Sequence, residues 1–457
     1  MTVAADSATP RLTRFDRRVW AVVAILALAV AVLGLIGDRV GVRVVEVWPE
    51  AGTEPVSTLI RPRVVFDQPV SPPIRAATVP LRLVPETAAE LVWSARAVTL
   101  RPLQPLQPAV TYTVHVDAGI VSTQGRRLLR PLSWQFTTDM PRVVYLRADR
   151  NGQAQLFAAE LQGILQGVEQ QLTEQPGGVW DFHVAGDGSA IAYSSPRDQH
   201  GNDLFAVARD GSAGRLLLDC GSDDCFGPRW APGGGRIAYA RRTLPGPPRV
   251  YLLDPASGAA RPVLDDASFV GFEPRWSPNG EWLAWVAPLE NGVRLVRLSD
   301  GASAFVPSRT GEPPVWNRTS SKLMVTDVDI DDTDFRTRLV VLDIATLSLD
   351  ATDSGFEEWA LRWAPDGQRV SVLRRAPGAR GGGQVWLVGQ QAPARQLTDA
   401  PSFDHGAAQW SADGRYLAFH RISLEDAGAP AEIVLWDTET GTEAAAPFTG
   451  RLPNWLP

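Results

Sequence analysis

Pro274-Arg-Trp-Ser-Pro-Asn-Gly-Glu-Trp-Leu-Ala-Trp285 is the clearest copy of a motif that recurs through most of the chain. The residues that we align at its tryptophan position are 183, 230, 276, 316, 363 and 410, so successive copies are 47, 46, 40, 47 and 47 residues apart. A repeat of this length that carries four strand signals is typical of propeller blades. We therefore predict a β-propeller over residues 142–457.

Each part of the motif suits a position in a blade. The tryptophan is large and flat and can fill the wedge between adjacent blades. Pro and Gly shape the turn after the inner strand, because Pro fixes its own φ and Gly accepts a positive φ. Small residues such as Ala238 and Ala284 permit close sheet packing. His183 is aligned with the tryptophans in the first copy and is expected to be packed.

The two ends of the repeat region complement each other. Residues 142–175 carry three strand signals but lack an inner strand with the motif. Trp455 lies 45 residues after Trp410, which keeps it on the period. We predict that the last strand completes the first blade and closes a ring of seven blades. Six blades are the alternative if the degenerate copy at Pro314 forms no full blade.

The repeats resemble the TolB-like propellers, whose motif is of the Trp-Ser-Pro-Asp-Gly-x-x-Ile-Ala-Phe type, over residues 142–457. The resemblance implies a protein-binding platform of the bacterial envelope, or the gating domain of a serine peptidase. Such a peptidase needs a following hydrolase domain, whereas here no Gly-x-Ser-x-Gly elbow follows the ring. We therefore expect no enzyme activity and predict no catalytic residues, cofactor or metal.

Residues 43–139 have a different texture. They contain seven short runs, several of them alternating, separated by turn residues. About 95 residues with seven such strands are typical of a β-sandwich. The segment resembles the bacterial Ig-like domain of surface-layer proteins (SbsA type), from Pro49 and Gly52 to the closing Trp134-Gln-Phe136. That resemblance implies a spacer or adhesion-like module.

An uncharged apolar stretch, residues 19–37, precedes both predicted domains. Its 19 residues are long enough to cross the hydrocarbon layer as a helix. Arg residues are in excess on its N-terminal side, which places residues 1–18 in the cytoplasm as a short tail. We predict a retained single-pass anchor with the bulk of the chain outside the cytoplasm; a cleaved signal peptide is the alternative and gives the same compartment.

The net charge excludes one class of partner, and the cysteines indicate a possible disulfide. The net charge is −7, and no basic stripe with interleaved aromatics occurs, so we expect no nucleic-acid partner. The two cysteines, Cys220 and Cys225, are separated by four residues in a Gly- and Asp-containing segment. Outside the cytoplasm these cysteines could close a loop as a disulfide, whereas free thiols or a weak metal pair are the alternatives.

Two groups of polar residues are candidate sites. Loops before the inner strands line the usual ligand site of a propeller, and five residues are predicted for such a funnel: His405, Asp404, Glu273, Glu357 and Glu358. The alternative interpretation is that these residues are ordinary solvated charges on loops. A second group could form an acidic rim patch and, less readily, a calcium site: Asp327, Asp329, Asp331, Asp332 and Asp334.

Three functions are compatible with this organisation. The leading hypothesis is a membrane-anchored binding or scaffold protein of the cell envelope, with a protein or glycan bound by the propeller. The second is a propeller hydrolase or lyase acting on extracellular sugar or peptide, which requires at least two carboxylate or histidine side chains to converge in the channel. The third is a sensor or regulatory subunit that acts through its transmembrane helix.

Overall fold

The computed structural model describes residues 20–28, 41–50, 56–72, 80–160, 168–197, 201–331, 334–389, 393–406, 408–444 and 447–457; for 329–331 and 334–336 it describes the backbone alone. The chain divides into two compact units. The first consists of Met1–Gly52, Arg61–Arg101 and Tyr112–Phe136, and the second of Thr53–Ile60, Pro102–Thr111 and Thr137–Pro457.

The N-terminal segment is described only in part. Residues 20–28 are helical and exposed. The remainder of the predicted membrane helix 19–37 and the whole predicted tail 1–18 lie outside the described residues. Among the helical residues that the structure describes, no segment is both long and apolar enough to cross a membrane.

The N-terminal unit is built on a two-sheet β-sandwich. Its seven strands are β1 (Val44–Trp48), β2 (Arg63–Phe66), β3 (Leu81–Val84), β4 (Ala89–Trp93), β5 (Ala97–Pro102), β6 (Thr111–Val116) and β7 (Leu132–Thr137). One sheet has the order β1-β2-β5-β4 and the other β3-β6-β7. Inward residues alternate with exposed ones, and the rings of Tyr112 and Phe136 stack in the core with centroids 5.8 Å apart. The predicted Ig-like strand pattern is therefore present.

The described residues of the second unit form seven antiparallel sheets, one for each predicted blade. The strands before the last one are β8 (Arg142–Ala148), β9 (Ala154–Glu160), β10 (Gln170–Gln171), β11 (Asp181–Val184), β12 (Ala190–Pro196), β13 (Asn202–Ala208), β14 (Arg215–Leu218), β15 (Asp224–Trp230), β16 (Ile237–Arg242), β17 (Arg249–Leu253), β18 (Ala260–Pro262), β19 (Phe272–Trp276), β20 (Trp282–Ala287), β21 (Gly292–Arg297), β22 (Ser303–Pro307), β23 (Val315–Trp316), β24 (Lys322–Asp331), β25 (Asp334–Asp343), β26 (Leu349–Thr352), β27 (Glu357–Trp363), β28 (Arg369–Arg375), β29 (Gln384–Gly389), β30 (Arg395–Gln396), β31 (Phe403–His405), β32 (Gln409–Trp410), β33 (Tyr416–Ser423), β34 (Glu432–Asp437), β35 (Thr442–Glu443) and β36 (Phe448–Thr449). Blade 1 contains β8–β10, blades 2 to 6 contain four consecutive strands each from β11 to β30, and blade 7 contains β31–β36.

The last strand, β37 (Arg451–Leu456), completes blade 1. It pairs antiparallel with β8, and Trp455 lies opposite Val143. The ring is thus closed by pairing of the two ends of the repeat region, as predicted. The degenerate copy at Pro314 also forms a full four-stranded blade, so the count is seven and the six-blade alternative is wrong.

The serine of the motif organises the turn after the inner strand. The Ser277 hydroxyl donates to Asn279 Oδ1 at 2.7 Å and accepts from the Trp282 backbone N–H at 2.9 Å. Ser411 makes the same two bonds, to Asp413 and from Tyr416. The polar side chain two residues after the serine therefore orients the serine hydroxyl. This hydroxyl accepts a hydrogen bond from the first backbone N–H of the next strand.

Four of the six motif tryptophans, all but Trp230 and Trp363, join neighbouring blades by a repeated hydrogen bond. Trp276 Nε1 donates to the carbonyl of Arg229 at 3.0 Å, and Trp455 Nε1 donates to that of Gln409 at 3.0 Å. In each case the acceptor is the residue just before the tryptophan position of the preceding blade. The alignment of His183 with the tryptophans was wrong by one residue: His183 lies opposite Ala192, so Val184 occupies the tryptophan position.

Candidate functional site

One residue from each innermost strand faces a shared cavity of about 780 Å³. This residue immediately precedes the tryptophan position, and around the ring it is His183, Arg229, Arg275, Val315, Arg362, Gln409 and Asn454. The volume lies in the range of small-molecule and cofactor pockets. Equivalent positions in the seven blades therefore carry different side chains, and these side chains determine the chemistry of the cavity.

β-Bulges in the inner strands determine the direction in which the arginine side chains point. The strand register slips just before Arg229, Arg275 and Arg362. In each bulge the residue two positions before the arginine has a left-handed backbone, with φ of 62° at Gly227 and 52° at Glu273. That conformation suits glycine but costs a residue with a Cβ about 1–2 kcal/mol. Glu273 is thus held in a strained conformation at the cavity, where strain often accompanies function.

Glu273 neutralises two of the three arginines. Its Oε2 lies 3.0 Å from Arg229 Nη2 and 2.7 Å from Arg275 Nη2. Burial opposes its ionisation, but the two guanidinium groups prevail and lower the pKa of Glu273 to about 2. Burial and the positive charge of Arg229 lower the pKa of Arg275 to about 9. The trio is therefore a charged, preorganised cluster at neutral pH.

Arg362 has no such counter-ion. Its Nη1 donates to the carbonyl of Leu361 at 2.7 Å, and in the described part of the chain no carboxylate lies within ion-pair distance of it. Burial and repulsion from Arg229 lower the pKa of Arg362 from its ordinary value, and the more distant carboxylates of Glu312 and Glu273 oppose this shift only in part. The cavity therefore carries at least one cationic side chain whose charge is not balanced by a direct protein partner.

Asp181 and His183 add two titratable groups from blade 2. The oxygens of Asp181 accept from Ser194 Oγ at 2.5 Å and from the Gly227 N–H at 2.7 Å. Burial nevertheless raises the pKa of Asp181 above its ordinary value. Burial, together with Arg229 and Arg275, holds the pKa of His183 well below its usual range. His183 is therefore a neutral imidazole, whose Nδ1 accepts from the Trp230 N–H at 3.2 Å.

The remaining wall is largely apolar and aromatic. Four motif tryptophans line the cavity, and five prolines contribute to its surface: Pro278, Pro313, Pro314, Pro453 and Pro457. The tryptophans are Trp276, Trp316, Trp410 and Trp455. His420 also lines it, and burial followed by the charge of Arg451 lowers the pKa of that imidazole. Flat, rigid walls of this kind suit the stacking of a ring or an extended backbone.

Only Glu273 of the five predicted funnel residues lines the cavity. Glu357 pairs with Arg375 and Glu358 with Arg374, both within blade 6. Asp404 accepts from the Gly383 N–H at 3.0 Å, and His405 Nδ1 bonds the Gly383 carbonyl at 2.7 Å. The prediction is corrected for these four residues, because their side chains are used to join strands of blades 6 and 7.

The predicted acidic patch is also revised. Asp327 is buried and pairs with Arg309 and Arg338, so it is not a rim residue. Asp329, Asp331 and Asp334 belong to β24 and β25, where the backbone alone is described, and Asp332 lies outside the described residues. No cluster of potential metal ligands occurs among the residues whose placement is described.

The two cysteines form a disulfide, Cys220–Cys225. Both are buried, and the N–H of Cys220 donates to Asp203 Oδ1 at 2.8 Å. The bridge closes the segment between β14 and β15, outside the cavity lining. It is therefore part of the packing between blades 2 and 3.

The pH dependence of stability tests the electrostatic role of Glu273. A carboxyl whose folded pKa is depressed contributes stability above its unfolded pKa, and this is lost as pH falls through the folded pKa. Glu273→Gln should therefore destabilise the protein at neutral pH, and the difference from wild type should shrink between pH 4.5 and about 2. Urea unfolding over this range measures it, with Glu425→Gln on an exposed loop as the control. A pH-independent difference would contradict this assignment.

Comparison with known proteins agrees with the division of the chain into a β-sandwich unit and a propeller unit. Residues 38–138 match the family described as the bacterial Ig-like domain. No curated protein matches the chain.

Many solved structures are similar to the chain, and three of them serve as examples. They are TolB from Acinetobacter baumannii (14% identity, 83% of each chain, TM-score 0.43), a Mycobacterium tuberculosis puromycin-hydrolyzing peptidase (16% identity, 67% of this chain and 52% of that one, TM-score 0.48) and the β-propeller domain of the Trilobed protease from Pyrococcus furiosus (13% identity, 57% of this chain and 81% of that one, TM-score 0.44). At these values the likeness carries no argument about function. Residues 38–138 thus match a bacterial Ig-like domain, and the antiparallel sheets that follow are arranged as the blades of a β-propeller.

Proposed function

We propose that this chain is a binding protein of the bacterial cell envelope and that the central cavity of the propeller holds its ligand, a protein segment or a glycan. The apolar stretch at residues 19–37 is proposed to anchor it, with the propeller outside the cytoplasm. The observation that carries the proposal is the ring of residues before the tryptophan position. Its members come from all seven blades and converge on one cavity of ligand size.

The hydrogen bonding of the acidic groups favours binding over catalysis. Both carboxyl oxygens of Asp181 accept from protein donors, and Glu273 is held by two arginines. His183 uses Nδ1 as an acceptor within the blades. A general acid or base needs to reach the proton that it transfers. These groups instead fix the backbone and the arginines around the cavity.

A hydrolase or lyase is the second candidate, and one observation favours it. Asp181 and Glu273 face the same cavity, and their pKa values are shifted in opposite directions, upward for Asp181 and downward for Glu273. Such a pair can divide the roles of acid and base. Turnover of an envelope polysaccharide or peptide that Asp181→Asn abolishes would replace the binding proposal with this one.

Blocking the cavity tests the binding proposal. A Cβ at Gly186, which lines the cavity, meets only Pro232, at 3.6 Å, so a larger side chain can be accommodated toward the open space. Gly186→Trp should therefore remove binding while the blades remain folded. The readout is a photo-crosslinking residue at Gln409, placed in the full-length protein in its native membrane, which should capture the ligand only when the cavity is open.

Gly214→Trp is the matched control. Gly214 lies in the outer hairpin of the same blade, and a Cβ there meets nothing within 4 Å. The control variant should crosslink like wild type, and a crosslinker at the exposed Leu216 of β14 should capture nothing that depends on the cavity. Equal capture by the Gly186→Trp and Gly214→Trp variants would reject the cavity as the binding site.

A further inference from the structure

We propose that the cavity is a receptor for an oxyanion group, a carboxylate or phosphate on the ligand, and that Arg362 is its principal contact with Arg275 beside it. This inference rests on the proposed function, because it names the chemistry of the ligand that the cavity binds. It follows from three features of the lining: charge balance, orientation of the guanidinium groups and the polarity of the walls.

The charge balance leaves an excess of positive charge. Three arginines face the cavity, and the one carboxylate in ion-pair contact with them, Glu273, is shared by Arg229 and Arg275. Asp181 is hydrogen-bonded to Ser194 and Gly227 and interacts with Arg229 only at longer range, as Glu312 does with Arg362. The three arginines of the lining thus exceed its two carboxyl side chains, Asp181 and Glu273, by one. A partly buried cation without a direct ion-pair partner is costly, and an anionic ligand would reduce that cost.

The three guanidinium groups are oriented by one recurring hydrogen bond. Nη1 of each arginine donates to the carbonyl of its own preceding residue, at 2.9 Å for Arg229, 3.1 Å for Arg275 and 2.7 Å for Arg362. Arg229 and Arg275 then direct Nη2 to Glu273, whereas no carboxylate of the described residues bonds the remaining donors of Arg362. A guanidinium presents five donors in a planar fork that matches an oxyanion. Arg362 is therefore oriented by one hydrogen bond, and its other N–H groups can donate to a ligand.

The surrounding walls strengthen this interaction. Trp316 and Trp410 line the cavity beside Arg362, and both also line a second cavity of about 260 Å³ that Arg362 shares. Charge pairs are stronger where water is excluded by apolar groups. An oxyanion carried on a flat or ring-shaped body would thus pair with Arg362 while its body contacts the aromatic walls.

Titration calorimetry on the full-length protein in detergent tests the inference. The probes are glucuronate, N-acetylaspartate α-amide and inorganic phosphate, compared with the neutral compounds glucose and N-acetylasparagine amide. We expect at least one oxyanion probe to bind the wild type and its neutral counterpart not to bind. Arg362→Gln should weaken that binding about 10- to 100-fold, the range for a charge-assisted hydrogen-bonded pair. The preferred probe distinguishes a sugar acid, an acidic peptide group and a phosphate as the source.

Two further variants keep the test sharp. Arg362→Lys keeps the charge but loses the planar fork, so its affinity should fall between those of wild type and Arg362→Gln. Arg261→Gln, at an exposed site on β18, should bind like wild type. Equal losses in the Arg261→Gln and Arg362→Gln variants, or no binding of any oxyanion probe, would overturn the inference.

The inference and the proposed function can fail separately. If Gly186→Trp abolishes ligand crosslinking but Arg362→Gln leaves it unchanged, the cavity binds a ligand and the oxyanion assignment is wrong. If oxyanion probes bind through Arg362 but Gly186→Trp leaves crosslinking intact, the oxyanion site exists and the envelope ligand binds elsewhere.

Discussion

Replacing Trp455 by alanine is expected to lower the free energy of unfolding of the propeller by about 3–5 kcal/mol, the usual cost of removing a buried tryptophan. The side chain is 6% exposed and belongs to a core cluster that includes Val143 of blade 1 and Ile433 of blade 7. Its Nε1 donates to the Gln409 carbonyl at 3.0 Å. The cost should lie at the upper end of the range because the variant weakens the junction that closes the ring.

Urea unfolding followed by far-ultraviolet circular dichroism measures this loss. Trp180→Ala is the matched control, because Trp180 is 65% exposed and its removal should change stability by less than about 0.5 kcal/mol. If Trp455→Ala is as stable as Trp180→Ala, the ring does not depend on its last strand. Limited proteolysis provides a second readout, since an opened ring exposes the strands of blades 1 and 7.

The fold could be predicted from the sequence because the repeat is a physical requirement of each blade. Every inner strand needs a large side chain against its neighbour and a tight turn, so Trp and Gly return at a fixed spacing. The same spacing placed Trp455 opposite the first blade. The copy at Pro314 lacks the Pro-x-Gly turn, yet Ser320 adopts the left-handed conformation there with φ of 61°. The sequence alone does not reveal this turn, because a serine stands where the other copies have glycine.

The candidate site was harder to predict because bulges reverse the side-chain alternation. Counting back from Arg362 in steps of two places Glu358 on the same face as Arg362. The register slip between Trp359 and Arg362 inserts one residue, so Glu358 turns to the opposite face and is buried in blade 6. A slip of one residue flips every side chain beyond it. A bulge leaves no reliable mark in one sequence, particularly when its left-handed residue is alanine, as at Ala360.

The three arginines that face the cavity could have been recognised from the motif itself. The residue before the tryptophan is arginine in three copies: Arg229, Arg275 and Arg362. On a strand, that residue faces away from the tryptophan, and in an innermost strand it therefore faces the centre. Pairing with Glu273 could not be predicted, because it depends on the left-handed backbone at that residue.

Replacing Arg374 by methionine is expected to cost about 3–5 kcal/mol of unfolding free energy, because it leaves a buried carboxylate without a counter-ion. Glu358 is 0% exposed and Arg374 6%, and Arg374 Nε lies 2.5 Å from Glu358 Oε1. The guanidinium also lies over the rings of Phe356 and Trp386, at 5.2 and 5.5 Å from their centroids. Arg374 is thus the charge partner of Glu358 and part of the aromatic packing of blade 6.

A double-mutant cycle separates these two contributions. Replacing both residues, Arg374→Met with Glu358→Met, removes both charges and should restore most of the stability, since apolar pairs commonly replace buried ion pairs without loss. Arg297→Met is the control: Arg297 pairs with Asp300 on the exposed surface, where an ion pair contributes less than about 1 kcal/mol. If the double variant is as unstable as Arg374→Met alone, the loss comes from the stacking on Phe356 and Trp386. Glu358 would then be a dispensable partner, and its burial would need another explanation.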